Sequence, residues 1–155
     1  MKIAIDGYEA NVPQRLGSSQ VAFELLRHLE KIDHQNEYTI LLPNTSLEDL
    51  PHERVGWKYK VLKPSKLWTR IALPLFLYTT KDKPEVMFSP THYIPRFCPK
   101  NIKRVVTIFD LAYLYFPQLF NKKDLYQLKN WSKFSIEQAD WILTISQSTK
   151  RDLIK

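Results

Sequence analysis

The stretch KIAIDGYEANVPQRLGSSQVAFELLRHLEKI, residues 2–32, decides the fold. Lys2 to Asp6 is a short apolar run with β-branched Ile3 and Ile5, closed by Gly7, and predicts a buried first strand. A loop holding Pro13 and Gly17 follows, and then a periodic helix from Ser18 to Ile32. Its apolar residues Val21, Ala22, Leu25, Leu26, Leu29 and Ile32 fall on one face at helical spacing. Either Ser18 or Ser19 can cap the helix start.

Further strands are expected at Tyr38 to Leu42, Trp57 to Leu62, Glu85 to Ser89, Arg104 to Phe109 and Trp141 to Ile145. Helices are expected at Lys66 to Thr80 with a break at Pro74, at Lys122 to Ala139, and from Gln147 to Ile154. Strands alternating with helical crossovers predict an α/β fold: one domain with a Rossmann-like, doubly wound, mostly parallel sheet. Such sheets bind ligands at the carboxyl ends of their strands, near the point where strand order reverses. The candidate loops are therefore Asp6 to Gly17, Ser89 to Pro95, Phe109 to Pro117, and Ser146.

Composition narrows the function classes. The 155 residues suit one domain that needs no staple, and the lone Cys98 cannot close an internal disulfide. The four histidines are too scattered for a sequence-local zinc motif. No metal site or bound cofactor is expected. The amino terminus lacks the pattern of a signal peptide, and the apolar Ile71 to Tyr78 is too short to cross a bilayer, so a cytoplasmic protein is expected.

The formal charge of +7 is uneven, with Lys58, Lys60, Lys63, Lys66 and Arg70 in an acid-free stretch from Val55 to Thr80. Such a patch suits anionic partners, and beside Trp68 and Ile71 to Tyr78 it suits a peripheral contact with an anionic membrane surface at the inner face. An ordinary core helix at Ile71 to Tyr78 accounts for the same residues. Nothing resembles a helix-turn-helix, zinc or RNP signature, so nucleic acid is not an expected partner.

The local candidates each carry a bland alternative. Backbone N–H groups at Gly17, Ser18 and Ser19 would face out of a helix start, where a phosphate is favoured, but the same residues serve equally as a turn and a cap. Asp110 ends a strand ahead of Tyr113, Tyr115 and Phe116, aromatics that suit an interface with a neighbouring domain better than a sugar platform. His92 and Tyr93 lie between Pro90 and Pro95 with no evident base partner, and Ser146 is placed to cap the following helix.

Together, KIAIDGYEA, RLGSSQVAFELLRHL, EYTILLP, MFSPTHYIP, VVTIFDLAYLYFPQLF and ADWILTISQSTKRDLI resemble, in that order, the amino-terminal domain of the retaining glycosyltransferases called family 4. That family has the GT-B fold of two facing Rossmann-like domains. The resemblance implies sugar transfer from a nucleotide diphosphate donor to a sugar or lipid-linked acceptor, with retention and without a metal.

It also implies that this chain is the acceptor-side half and is inactive alone, because most donor contacts belong to a carboxy-terminal domain that is absent here. Gly17, Ser18 and Ser19 correspond to the loop approaching the donor diphosphate. His92, Tyr93, Phe109, Asp110 and Ser146 complete the implied substrate-binding set. The family's usual His-Asp is here Phe109-Asp110, which leaves no assigned catalytic residue. The alternative is a non-catalytic sugar- or partner-binding domain that has lost the chemistry.

Overall fold

A computed structural model of the chain describes residues 1–154. Six strands form one sheet in the order β3-β2-β1-β4-β5-β6: β1 Lys2–Asp6, β2 Glu37–Leu42, β3 Trp57–Val61, β4 Val86–Ser89, β5 Lys103–Ile108 and β6 Trp141–Thr144. Every pairing is parallel. Strand order reverses between β1 and β4, which makes that junction the switch point of a Rossmann-like, doubly wound sheet.

The two-residue repeat of the strands feeds two cores, one on each face of the sheet. Ile5, Ile40, Leu42, Trp57 and Phe88 pack with Ala22, Phe23 and Leu26 of helix α1, Ser18–Ile32. Ala4, Leu41 and Met87 point the other way, onto Trp68, Ala72, Leu73, Phe76 and Leu77. Farther along the sheet, Val106 and Ile108 pack with Leu125, Leu128, Phe134 and Ile142. Two residues expected on the buried stripe of α1, Val21 and Ile32, are 42% and 75% exposed. The buried stripe is narrower than the periodicity suggests, since a helix crossing a sheet at one line of contact covers only its central rows.

The expected break at Pro74 is absent. Residues 68–79 run on as one helical segment, a wide π turn at Trp68–Ala72 followed by α2, Leu73–Thr79. The Leu73 N–H reaches back five residues to the Trp68 carbonyl, a widening that accommodates a proline with no N–H to give. The long helix over 122–138 carries a similar wide turn, Leu128–Ser132, between α4, Lys122–Gln127, and α5, Lys133–Gln138. The aromatic loop expected after β5 contains a short helix α3, Ala112–Tyr115, and a 3-10 turn, Pro117–Leu119.

Tyr113 is buried in the core rather than placed at an interface, whereas Tyr115 and Phe116 are exposed. Helix α6, Gln147–Ile154, closes the described chain. Trp141 and Leu143 remain exposed on the edge strand β6, as does Ile145 just after it. No helix among the described residues is long and apolar enough to cross a membrane.

Candidate functional site

Gly7 turns the chain sharply out of β1. A Cβ there would stand 2.6 Å from a Leu42 methyl and 2.7 Å from an Ile40 methyl, so only glycine fits where its N–H bonds the Leu41 carbonyl. The loop that follows is pinned by two buried anchors. Asn11 donates to the Asn44 and Thr45 carbonyls and accepts from the Leu47 N–H. Arg15 pairs with Asp49 through both terminal nitrogens, donates to the Ala10 carbonyl and lies 3.9 Å from the Phe23 ring centre.

At the helix start, Gly17 takes φ 56 and ψ −120, a conformation suited to glycine. No serine caps α1. Ser19 instead turns back: its Oγ donates to the Leu16 carbonyl and accepts from the Leu16 N–H, and its own backbone N–H bonds the Leu16 carbonyl. Of the three N–H groups expected to face a phosphate, the Ser19 N–H is already engaged. A Cβ on Gly17 would meet nothing within 4 Å, so this loop stands in open space.

The candidates at the ends of β4, β5 and β6 do come together. The His92 and Phe109 rings are 5.4 Å apart and the His92 and Tyr93 rings 6.1 Å. Burial holds the His92 imidazole below its usual pKa, opposed by the negative charge of Asp110, so it is neutral at neutral pH. Its Nδ1 is buried without a hydrogen-bond partner among the described residues, as is Ser89 Oγ on β4. Asp110 is exposed and accepts the Ala112 N–H at 2.9 Å, fixing the start of α3. Ser146 is a helix cap: its Oγ accepts the Thr149 N–H at 3.1 Å, while Thr149 Oγ1 donates to the Phe109 carbonyl at 2.8 Å.

Beside this cluster, at the switch point, lies a cleft of about 630 Å³. Of the eight candidates only Tyr93 lines it. Asp6 forms part of its floor, 7% exposed, and its Oδ1 accepts both the Tyr8 N–H at 3.0 Å and the Trp68 indole N–H at 2.8 Å. Burial pushes the Asp6 carboxyl up to about 6 against the pull of those two donors, and burial also raises Glu9, another lining residue.

Aromatic rings form the walls, Tyr8 against Trp68 at 5.5 Å and Tyr93 edge-on to Trp131 at 5.7 Å. Leu67, on the rim, takes the left-handed conformation with φ 57, and its carbonyl accepts the Arg70 and Ile71 N–H groups. That strained residue sets the entry of the π turn and so the position of Trp68.

Asp6 opens one of the loops expected to be functional but has no role among the expected site residues, and Trp68 is expected beside a membrane-facing segment. Trp68 is 8% exposed and its polar edge is turned onto Asp6. Trp131 lies in the wide turn of the long helix, where helical periodicity could not mark it as a cleft residue. The only local signal was Asp6 itself, a carboxylate at the end of an otherwise apolar buried strand.

No group of His, Cys, Asp and Glu among the described residues could hold a metal ion. The fold and the cleft together define a Rossmann-like domain with an open cleft at its switch point. No protein family, curated protein or solved structure matches the chain.

Proposed function

We propose that the chain is the acceptor-side domain of a retaining, metal-independent glycosyltransferase of the two-domain GT-B kind, acting on a nucleotide diphosphate sugar donor. The observation that carries this reading is the switch-point cleft with a buried carboxylate, Asp6, between aromatic walls. Aromatic faces take the C–H faces of sugar rings, and a carboxylate takes their hydroxyl protons. Its volume lies in the range of small-molecule sites. In this reading the donor diphosphate lies between this domain and a second one, because leaving-group charge needs preorganised donors in a closed, water-poor cleft. The domain alone then transfers no sugar.

The test is an assay of nucleoside diphosphate release with a panel of donors and acceptors, run on the 155-residue chain and on a two-domain protein that contains it. Acceptor-dependent release with a retained anomeric configuration, from the two-domain protein only, supports the reading. Release at enzymatic rates from the 155 residues alone sinks the half-site idea. Absence of release from both supports the second reading, a sugar-binding domain without chemistry, which the phenylalanine at position 109 favours.

We also propose peripheral association with an anionic membrane surface. Helix residues 71, 75 and 78 support it, since Ile71, Leu75 and Tyr78 are 42%, 53% and 56% exposed and follow helical spacing beside Lys66 and Arg70. The opposite face of the same segment, Leu73, Phe76 and Leu77, is core.

A further inference from the structure

The switch-point cleft holds both signs of charge, and its cations are not paired with its carboxylates. Lys66 and Arg70 line it together with Asp6 and Glu9. Among the described residues neither cation forms an ion pair. Arg70 instead lies 4.8 Å from the ring centre of Trp131, an arrangement that fixes the guanidinium while leaving its donors for another acceptor. Arg15 and Arg54, by contrast, are each tied to a carboxylate of this chain.

On the acid side, both donors to Asp6 converge on Oδ1, and Oδ2 takes no hydrogen bond among the described residues. The open oxygen of a mostly buried carboxylate at a cleft wall, with its other oxygen anchored, is a preorganised acceptor for a ligand hydroxyl. Tyr8 and Trp68 flank that end, while Tyr93 and Trp131 accompany Arg70.

A neutral sugar would satisfy Asp6 and stack on the rings, but it would offer the Lys66 and Arg70 donors no anionic acceptor. A simple anion would satisfy the cations and leave Asp6 Oδ2 without a donor. The geometry points to a soluble polyol carrying a phosphate as the ligand of this cleft, its hydroxyls on Asp6 and its phosphate on Lys66 and Arg70. This rests on the acceptor reading above for the role of that ligand, not for its chemistry. A phosphorylated polyol supplies both complements in one small molecule, and charge-assisted bonds to Arg70 provide the discrimination.

Calorimetric titration of the 155-residue chain tests it. Glucose 6-phosphate, fructose 6-phosphate and inositol 1-phosphate are each compared with the unphosphorylated parent, with inorganic phosphate, and with phosphatidylcholine vesicles containing phosphatidylinositol. At least one phosphorylated polyol should bind at least about tenfold more tightly than its parent and than inorganic phosphate. Arg70→Gln should remove that preference, and Lys66→Gln, at an exposed position, should reduce it with an unchanged thermal melt.

Equal binding of parent and phosphate ester overturns the assignment. So does inorganic phosphate binding as tightly as the ester, binding to the vesicles alone, no binding to any probe, or a preference that survives both substitutions. Tight binding of a phosphorylated polyol without sugar transfer in the donor assay keeps this assignment and removes the enzymatic reading. Transfer to neutral acceptors alone does the reverse.

Discussion

The indole N–H of Trp68 donates to Oδ1 of Asp6 at 2.8 Å, joining the end of the first strand to a helical segment 62 residues away. The bond anchors a buried carboxylate that burial would otherwise drive towards its neutral form. Trp68→Phe removes the donor and keeps much of the ring. The hydrogen-bond loss should cost about 1.5–3 kcal/mol at pH 7.5, where Asp6 is charged, and less at pH 5, where the carboxyl is protonated. Urea denaturation of both proteins at the two pH values measures this, and a cost independent of pH would assign the whole effect to packing.

Asp6 itself gives the chain a pH dependence of unusual sign for a carboxylate. Its folded-state pKa of about 6 lies above the ordinary 3.8, so between those values the folded state holds the proton more firmly. Stability from this group is greatest below pH 4 and falls as pH rises through 6, by at most about 3 kcal/mol. Asp49 and Asp82 are shifted down by their partners Arg15 and Lys2, and Asp140 by the Arg104 backbone N–H and Lys103, so their contributions are lost only as pH falls below the ordinary carboxylate range. Asp6→Asn should therefore be more stable than the parent at pH 7.5 and flatter between pH 4 and 6. Melting curves across that range check it.

Ser146 caps α6, and Thr149 carries the connection on to Phe109. Ser146→Ala should cost about 1 kcal/mol and leave ligand affinity unchanged. Affinity lost with stability retained would restore Ser146 to the binding set.

Membrane association, if it uses the exposed stripe, depends on Ile71, Leu75 and Tyr78 and not on buried Trp68. The chain should cosediment with anionic vesicles and not with neutral ones, and Ile71→Ser with Leu75→Ser should abolish the binding while the melt is retained. Equal binding to both vesicle types, or to neither, removes the proposal.

Phe109 is 9% exposed and packs on His92. In a two-domain enzyme containing this chain, Phe109→His should raise turnover or widen donor use, because an imidazole restores hydrogen-bonding capacity that phenyl lacks. Turnover and donor range both unchanged in a folded protein would make position 109 a packing position.

The apolar five-residue runs, the stop signals after them and the periodic face of α1 were legible because each depends on neighbours within a few residues. Ile5 and Ala4 alternate between faces by strand geometry alone, and the parallel sheet followed from the helical crossovers. The boundaries of β1, α1 and α6 were readable for the same reason.

The cleft was not legible. It joins Asp6 at the end of β1 with Trp68, Tyr93 and Trp131 from three separate connections, and no spacing rule relates them. Nor could periodicity show that a π turn just ahead of Pro74 would carry the helical segment through it, or that Ser19 would bond back to Leu16 instead of capping. Strand and helix order was set by local propensity and hydrophobic period. Which carboxylate is buried, which indole answers it and which cleft cations form no ion pair among the described residues were set by how two sheet faces and their crossovers close on one another, and only the packed chain contains that information.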